Sequence, residues 1–208
     1  HERRYRDKAM LRSRILEAAR ELFAESGYEA VTMRGVAEKI DYSPTTIYLH
    51  FQDKESLVRE LCSEDFLSLA QCFRAAGHHA DPLARIRAIG RAFLDFGLAH
   101  PNHYRLMFMT PHPAVPAEAR RIAQGSLEED AWAMLVEAVT EARARGLLGG
   151  LPAEPVWMAQ QFFAGIHGVL ALHLAKGNDP WIDWAPVRQA GTWMVEALLR
   201  GFAPEAGA

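Results

Sequence analysis

Apolar residues recur at spacings of three and four along most of the chain, which is typical of amphipathic helices. The segment LRSRILEAARELFAESG is the first example, and Gly27 supplies its stop. Its apolar face consists of Leu11, Ile15, Ala18, Leu22 and Phe23. We therefore predict a first helix that ends near Gly27.

Two short helices joined by a tight turn are predicted next. Thr32 is placed to cap the segment MRGVAEKI, and Asp41 and Tyr42 turn the chain into SPTTIYLHFQDKESL. Ser43 and Pro44 form a strong helix start, with a side-chain oxygen at the N-cap and a fixed φ at the first helical position. This order of elements is that of a helix-turn-helix.

The remaining pattern is helical as well. Asp53 caps a long amphipathic helix that is predicted to reach about Gly77. Further helices are predicted after Pro101 and at 82–99, about 116–146, about 153–176 and about 184–202. No alternating strand pattern is visible, so the expected fold class is all-α, with about nine helices.

Composition narrows the class of protein. The chain has 208 residues, of which 50% are hydrophobic, and this is enough for a substantial core. No run of about 18 apolar residues and no apolar signal segment is visible, so the expected location is the cytoplasm. Cys62 and Cys72 lack the paired spacing of a zinc site and are expected to be core thiols, and we predict no metal, cofactor or disulfide.

Charge is unevenly distributed along the chain. The net charge is −3, whereas residues 1–14 hold six basic residues against Glu2 and Asp7. The basic residues are Arg3, Arg4, Arg6, Lys8, Arg12 and Arg14. This basic arm keeps nucleic-acid binding open, and a solvated terminus is the alternative.

The second short helix has a composition that suits a DNA surface. No acidic residue lies between positions 43 and 52, where hydroxyls, Pro44 and His50 are concentrated. Short hydroxyls approach phosphates and base edges closely, and a proline or threonine methyl contacts a thymine methyl. The second helix of a helix-turn-helix lies in the major groove, which accounts for this composition. A tight turn inside an ordinary helical bundle is the alternative.

The run from Ile15 to Leu57 resembles the N-terminal domain of the tetracycline-repressor (TetR) family of one-component bacterial regulators. The matching features are the Ala-x-x-Leu-Phe-x-x-x-Gly-Tyr run at Ala19 to Tyr28, Thr32, Val36-Ala37, Ser43, Ile47-Tyr48-x-His50-Phe51 and Lys54-Glu55-x-Leu57. Pro44 and Thr45 stand where many relatives place a Lys or Arg followed by a Gly. The operator sequence is therefore not predicted.

The resemblance implies a DNA-binding domain at 1–57 and an effector-binding and dimerisation domain at 58–208. The implied DNA contacts are Thr32, Arg34, Ser43, Pro44, Thr45, Thr46, Tyr48, Leu49, His50 and Lys54. Among them, Arg34 and Thr45 are expected to reach base edges, whereas Tyr48, His50 and Lys54 hold the phosphate backbone. A core position for Tyr48, a capping role for His50 and a solvated surface for Arg34 and Lys54 are the alternatives.

Small and apolar residues repeat at spacings of three and four on the last two helices. The resemblance implies that these helices form a four-helix interface between two copies of the chain. The interface residues are predicted to be Ala164, Gly168, Ala171, Ala175, Val187, Gly191, Val195 and Leu198. An internal helix pair is the alternative.

The region from Phe66 to His173 is rich in Phe, Met and Trp, which line apolar pockets as well as cores. The resemblance implies a ligand pocket here, with candidates Phe66, Phe93, Phe96, Met107, Trp132, Phe163 and His167. Asp65 lies at the edge of an apolar stripe, where we expect solvent, and His167 is expected to bond a core carbonyl.

We therefore predict a homodimeric DNA-binding transcriptional regulator. In this prediction a repressor binds double-stranded operator DNA, is released by a small, largely apolar effector of unknown identity, and has no membrane partner. No nucleophile elbow, paired carboxylates, phosphate loop or metal motif is visible, so we do not expect an enzyme. An all-α enzyme or small-molecule-binding protein that uses the aromatic region is the alternative, and an adaptor without DNA contacts is another.

Overall fold

The computed structural model describes residues 2–77, 79–114, 121–150 and 153–204. In these ranges the backbone forms nine α-helices and no strand, which confirms the all-α prediction. The helices are α1 (Glu2–Ala30), α2 (Met33–Lys39), α3 (Pro44–Tyr48), α4 (Lys54–Ala75), α5 (Pro82–Ala99), α6 (Pro101–Phe108), α7 (Ala131–Ala144), α8 (Pro155–Lys176) and α9 (Val187–Phe202).

The chain forms two compact units, which do not follow the predicted boundary at residue 57. The first unit comprises His1–Phe66 and His100–Arg121, and the second comprises Leu67–Ala99 and Ile122–Ala208. Helix α4 begins in the first unit and ends in the second, and α6 belongs to the first. The functional division at 57 and 58 stays a prediction.

Gly27, which was predicted to end the first helix, instead forms a kink inside α1, which ends at Ala30. Its backbone is non-helical, with φ 78° and ψ 168°, a region that glycine enters without the steric cost that a Cβ imposes. Helix α1 begins at Glu2, several residues before the predicted apolar face, and continues past this kink to Ala30. The extra turns at the start of α1 carry the basic arm.

One apolar core holds the helices of the first unit together. Its fully buried side chains include Ile15, Phe23, Val36, Ile47, Leu57, Leu61 and Leu106. Each side chain of this size contributes about 1.5–3 kcal/mol when buried. Because Ile47 and Phe51 are both buried in this cluster, the short α3 is fixed in place by packing rather than by its own helix propensity.

A buried ion pair joins three helices of the first unit, so the expectation of a solvated Asp65 is wrong. Asp65 on α4 is 1% exposed. Arg20 on α1 donates to both carboxylate oxygens of Asp65, over 2.9 Å from Nη2 to Oδ1 and 3.3 Å from Nε to Oδ2. Nδ1 of His103 on α6 lies 2.8 Å from Oδ1. These partners satisfy a carboxylate whose burial alone would be strongly unfavourable.

Helix α7 begins at Ala131, so the prediction of a helix from about residue 116 is wrong at its start. Residues 115–120 lie outside the described residues, and residues 121–130 form turns and irregular backbone. The N–H of Gly125 donates to Oδ2 of Asp130 over 2.9 Å, and Gly125 has φ 83°. Asp130 then caps α7 by accepting from the N–H groups of Trp132 and Ala133. The cap starts the helix late.

Helices α5, α7, α8 and α9 pack together in the second unit. The fully buried side chains of this unit include Ile86, Ala138, Met158 and Leu170. Arg87 on α5 also donates two hydrogen bonds, of 2.6 and 3.1 Å, to Glu196 on α9. All five tryptophans belong to this unit, at 132, 157, 181, 184 and 193, and all five tyrosines, at 5, 28, 42, 48 and 104, belong to the first.

The two cysteines are free thiols in different environments. Cys62 is buried and Cys72 is partly buried, which confirms the core position for Cys62. Burial raises the pKa of the Cys62 thiol to about 12, so it stays protonated.

Among the described residues, no helix is long and apolar enough to cross a membrane, and no three His, Cys, Asp or Glu side chains are grouped to hold a metal ion.

Candidate nucleic-acid interface

The predicted helix-turn-helix is present in the first unit as α2, a turn and α3. Oγ1 of Thr32 accepts from the N–H of Gly35 over 3.0 Å and caps α2. Asp41 takes a positive φ of 61° in the turn. Ser43 then caps α3 by accepting from the N–H of Thr46, and Pro44 occupies its first turn. Local sequence signals therefore set both helix starts.

The outer face of α3 exposes large side chains. Tyr48 is 54% exposed and Leu49 is 75% exposed, and Pro44 and Thr45 are exposed beside them in sequence. Ile47, on the opposite side, is fully buried. A short helix that buries one residue and presents an aromatic ring and a leucine to solvent has the character of a contact surface. The alternative of a core position for Tyr48 is thereby excluded.

Three of the predicted hydroxyl contacts already have partners within the chain. Thr32 caps α2, and the hydroxyl oxygens of Ser43 and Thr46 lie 2.9 Å apart as part of the α3 cap. Their first role is therefore to fix the helix starts. Thr45 makes no such cap bond in this arrangement and is exposed, so it is the hydroxyl most open to a partner.

The two predicted cationic contacts are placed differently. Nε of Arg34 donates to Glu38 over 2.8 Å, but the Arg34 side chain is 79% exposed, and an ion pair of this kind is weak and exchangeable. Nζ of Lys54 donates to the Tyr28 carbonyl over 2.9 Å and lies 4.2 Å from the centroid of the Tyr28 ring. Lys54 therefore joins the start of α4 to the end of α1 and is not an open cation.

His50, just beyond α3, is partly buried. Burial lowers the pKa of His50 from its ordinary value, and the positive charges of Lys8 and Arg12 lower it further. The imidazole is therefore mainly neutral at neutral pH, and it offers one N–H donor and one acceptor.

The start of α1 also contributes to this region, which the sequence did not reveal. The Arg12 guanidinium lies 4.5 Å from the centroid of the Phe51 ring, and Arg14 donates to the Ile40 carbonyl over 3.3 Å. The basic composition of residues 1–14 was the available signal, but it gave no position for the arm. The structure places Arg12 and Arg14 beside the turn and the end of the helix-turn-helix.

The predicted ligand residues are divided between the two units. Phe93, Trp132 and His167 surround Phe163 in the second unit, with ring centroids 5.7, 6.4 and 5.7 Å from the Phe163 ring. Phe96 is buried in the same unit. Burial lowers the pKa of His167, so its ring is mainly neutral at neutral pH. Phe66 and Met107 lie in the first unit, Phe66 with its ring against Phe108 and Met107 buried.

A small open cleft of about 110 Å³ lies in the second unit, and none of the predicted ligand residues lines it. Its walls are mainly apolar, with charged groups among them. The lining residues are Phe73, Arg74, Gly77, Arg85, Ala88, Ile89, Leu127, Met134 and Glu137. Phe73 and Met134 belong to the Phe- and Met-rich composition of this region, whereas the others carry no sequence signal for a pocket.

The small-residue stripe of α8 is accessible. Ala164 and Ala175 are exposed, and Gly168 and Ala171 are partly exposed. Apart from the adjoining residues and backbone of α8 itself, no described atom lies within 4 Å of the position that a Cβ on Gly168 would take. Trp157 and Leu172 add exposed apolar surface to the same helix. The stripe therefore fits the prediction of a surface that receives another helix.

The predicted α9 set needs correction. Gly191 and Val195 are buried against α5 of the same chain, since a Cβ on Gly191 would collide with Leu94 and one on Gly90 would lie 2.9 Å from Cγ2 of Val195. Val187 and Leu198 are partly exposed. The outer face of α9 instead presents Trp193, which is 58% exposed, and Ala197.

Comparison with known proteins gives matches to both parts of the chain. The model of the tetR family of bacterial regulatory proteins matches residues 15–61. The model of the tetracyclin repressor-like C-terminal domain matches residues 86–198, more than half of the chain. The first match contains α2, α3 and their caps, and the second contains α5 to α9 apart from their outermost residues.

Similar proteins include curated regulators and a solved structure. Residues of this chain are 44% identical over 63 positions to the transcriptional repressor AcnR of Corynebacterium diphtheriae, covering 30% of this chain and 33% of AcnR. The match to the transcriptional regulator UidR of Escherichia coli is 41% over 54 positions, covering 26% of this chain and 28% of UidR. The alignments thus span about a third of these relatives.

A TetR family transcription regulator from Marinobacter aquaeolei superposes on the whole fold. Its TM-score is 0.74 at 21% sequence identity, covering 97% of this chain and all of that one. At this identity the similarity establishes the fold.

Proposed function

Since this chain belongs to the tetracycline-repressor family of bacterial regulatory proteins, we propose that it is a transcriptional repressor that binds operator DNA. The relatives with names are regulators and not enzymes, which agrees with the prediction that the chain is not an enzyme. Action on DNA assigns it to the cytoplasm within this proposal.

The exposed face of α3 carries the proposal. It offers Thr45, Tyr48 and Leu49 on a helix that is held by a cap and by buried Ile47, and no acidic side chain lies between 43 and 52. In the major groove, Thr45 and Leu49 would contact base edges and thymine methyls, whereas Tyr48 and His50 would contact the sugar-phosphate backbone.

The roles of the two cations differ within this proposal. Arg34 is exposed and exchanges Glu38 for a base edge or phosphate at little cost, because a solvated i,i+4 pair contributes only about 0.3–0.5 kcal/mol. Lys54 already has an acceptor and an aromatic face at Tyr28, so it supports the helix arrangement and is not assigned to phosphate.

An acidic substitution on α3 tests this assignment. Thr45→Glu places a negative charge on an exposed position without disturbing the core, and like charges at an interface cost several kcal/mol, so DNA affinity is expected to fall at least ~10-fold. Fluorescence anisotropy with an operator selected from a pool of random duplexes measures the affinity. Gln71→Glu, an exposed position in the second unit, adds the same charge and should leave binding unchanged. Equal affinities for Thr45→Glu and the wild type would remove α3 from the groove.

We further propose that two copies associate through the exposed surfaces of α8 and α9. The support is the open stripe around Gly168 on α8, flanked by exposed Trp157 and Leu172, and the exposed Trp193 on α9. Contiguous apolar surface of this kind marks interaction sites, and an isologous pair of chains presents two α3 helices to a two-fold symmetric operator.

The second unit is proposed to bind a small, largely apolar effector. The cleft beside Phe73, Ile89 and Met134 has the mainly apolar lining of ligand sites, and the Phe163 cluster is a second apolar feature of this unit. Arg85 and Glu137 at the cleft would orient a polar group of the effector.

Induction by such an effector requires reciprocal coupling. A compound that raises the thermal stability of the protein is first identified from a library, because a ligand of the folded state raises apparent stability. Operator DNA is then expected to weaken binding of this compound by the same factor by which the compound weakens DNA binding. Isothermal titration with and without operator measures the factor, and identical affinities would show that the compound is not an inducer.

A further inference from the structure

The basic arm lies outside the part of the chain that the family model matches. That match begins at residue 15, whereas α1 begins at Glu2. Residues 1–14 hold six basic residues and two acidic ones, in a chain whose net charge is −3. The first turns of α1 are therefore a strongly positive helical extension on an otherwise acidic protein.

Contacts fix where this extension lies within the first unit. Arg14 reaches the Ile40 carbonyl and the Tyr42 ring in the turn between α2 and α3, and Arg12 covers the Phe51 ring just beyond α3. Lys8 precedes Arg12 by four residues, so it lies on the same side of α1, about 6 Å further along the helix axis. The positive charge of Lys8 also acts on His50, whose pKa it lowers together with burial and Arg12.

The other cations near the helix-turn-helix already have acceptors within the chain. Arg12 pairs with Glu60 over 2.6 Å, Lys39 with Glu21 over 2.9 Å, and Arg34 and Lys54 are engaged as described above. Arg6 and Lys8 differ, since both are exposed and neither has an ion-pair partner among the side chains that the structure describes. Lys8 thus extends from the α3 side of the unit without an ion-pair partner in the described part of the chain, and Arg6 adds a second such cation nearer the start of α1.

We propose that Arg6 and Lys8 bind the phosphate backbone of the DNA that flanks the half-site read by α3. This inference rests on the proposed function and adds a second, sequence-independent contact to it. Phosphates are the matching partner, because each neutralised phosphate releases condensed counterions and so favours binding. In this proposal the arm supplies the phosphate contact that was predicted for Lys54, which is already bonded within the chain. Such a contact carries no information about base sequence.

A double substitution tests the arm by the salt dependence of binding. Arg6→Gln/Lys8→Gln should reduce the slope of log K against log salt concentration by about 2 per subunit, since each phosphate contact contributes about 0.9. Affinity at about 0.15 M salt should fall at least ~10-fold for the selected operator and for a scrambled duplex alike. The ratio of the two affinities should stay at the wild-type value, because phosphate contacts carry no sequence information.

Two comparisons make the result specific to the arm. Arg91→Gln/Lys176→Gln removes the same charge from exposed positions of the second unit and should keep the wild-type slope. Removing the flanking base pairs from the operator should lower the DNA affinity of the wild type but not that of the Arg6→Gln/Lys8→Gln protein. A wild-type slope in the arm variant would overturn this inference and leave the proposed function intact, whereas a wild type that binds neither duplex would overturn the proposed function itself.

Discussion

The free energy of unfolding of the Asp65→Ala protein is expected to be about 3–5 kcal/mol lower than that of the wild type. This is the range found when one partner of a buried ion pair is removed. The Arg20 guanidinium would remain buried, and its remaining ion-pair partner among the described residues would be Glu17, 2.5 Å away and largely exposed. The link from α4 to His103 on α6 would be lost as well. Urea denaturation at fixed protein concentration measures the change, and thermal unfolding should shift by roughly 10 °C for a chain of this size.

Two variants separate the buried pair from a general effect of removing charge. Glu38→Ala removes a carboxylate from the exposed pair with Arg34 and should change stability by less than about 1 kcal/mol. Arg20→Met/Asp65→Leu replaces both charges by apolar side chains and should recover most of the loss. A loss below about 1 kcal/mol in Asp65→Ala would mean that water or another group compensates Arg20.

The Gly168→Arg protein is expected to be monomeric at micromolar concentration, because a long charged side chain would occupy the stripe proposed to receive a partner helix. Outside the adjoining part of α8, no atom of the described residues lies within 4 Å of the new Cβ position, so the subunit itself should fold normally. Loss of the second half-site should weaken operator binding at least ~100-fold, since linked binding modules gain about 10²–10⁴ in avidity. Sedimentation velocity and anisotropy measure the two effects.

A matched substitution controls for the chemistry of the change. Gly149 is exposed and also has open space at its Cβ position, so Gly149→Arg introduces the same side chain outside α8. This protein should remain dimeric and bind operator like the wild type. A dimeric Gly168→Arg protein would remove the α8 stripe from the interface.

Local signals were sufficient to predict the helix-turn-helix. Ser43 and Pro44 start α3 through a side-chain cap and a fixed φ, and Gly27 interrupts α1 through its positive φ, so each feature depends on residues close in sequence. Amphipathic spacing likewise placed α5, α8 and α9. Amphipathic spacing placed the start of α7 too early in the sequence, because the spacing does not show that Asp130 caps the helix.

The residues that a side chain contacts were much harder to predict from the sequence than the helix on which it lies. Asp65 is buried because Arg20 lies against it, 45 positions away in sequence. Lys54 has the expected position at a helix start, but its ammonium group donates a hydrogen bond to the Tyr28 carbonyl. Gly191 belongs to a genuine packing stripe, yet periodicity does not tell whether the facing helix is α5 of the same chain or a helix of another copy. Each of these outcomes depends on tertiary contacts.

The separation of aromatic residue types between the units has an optical consequence. Every tryptophan lies in the second unit and every tyrosine in the first, so selective excitation of indole makes the native emission report on the second unit alone. Trp181, which is 92% exposed, and Trp193 emit from solvated positions, whereas Trp132 lies against the Phe163 ring. Burial of Trp193 in an interface would shift its emission to shorter wavelength, and an effector near Trp132 would quench or enhance it. Assembly and ligand occupancy can thus be followed without a dye, while the first unit contributes no indole signal.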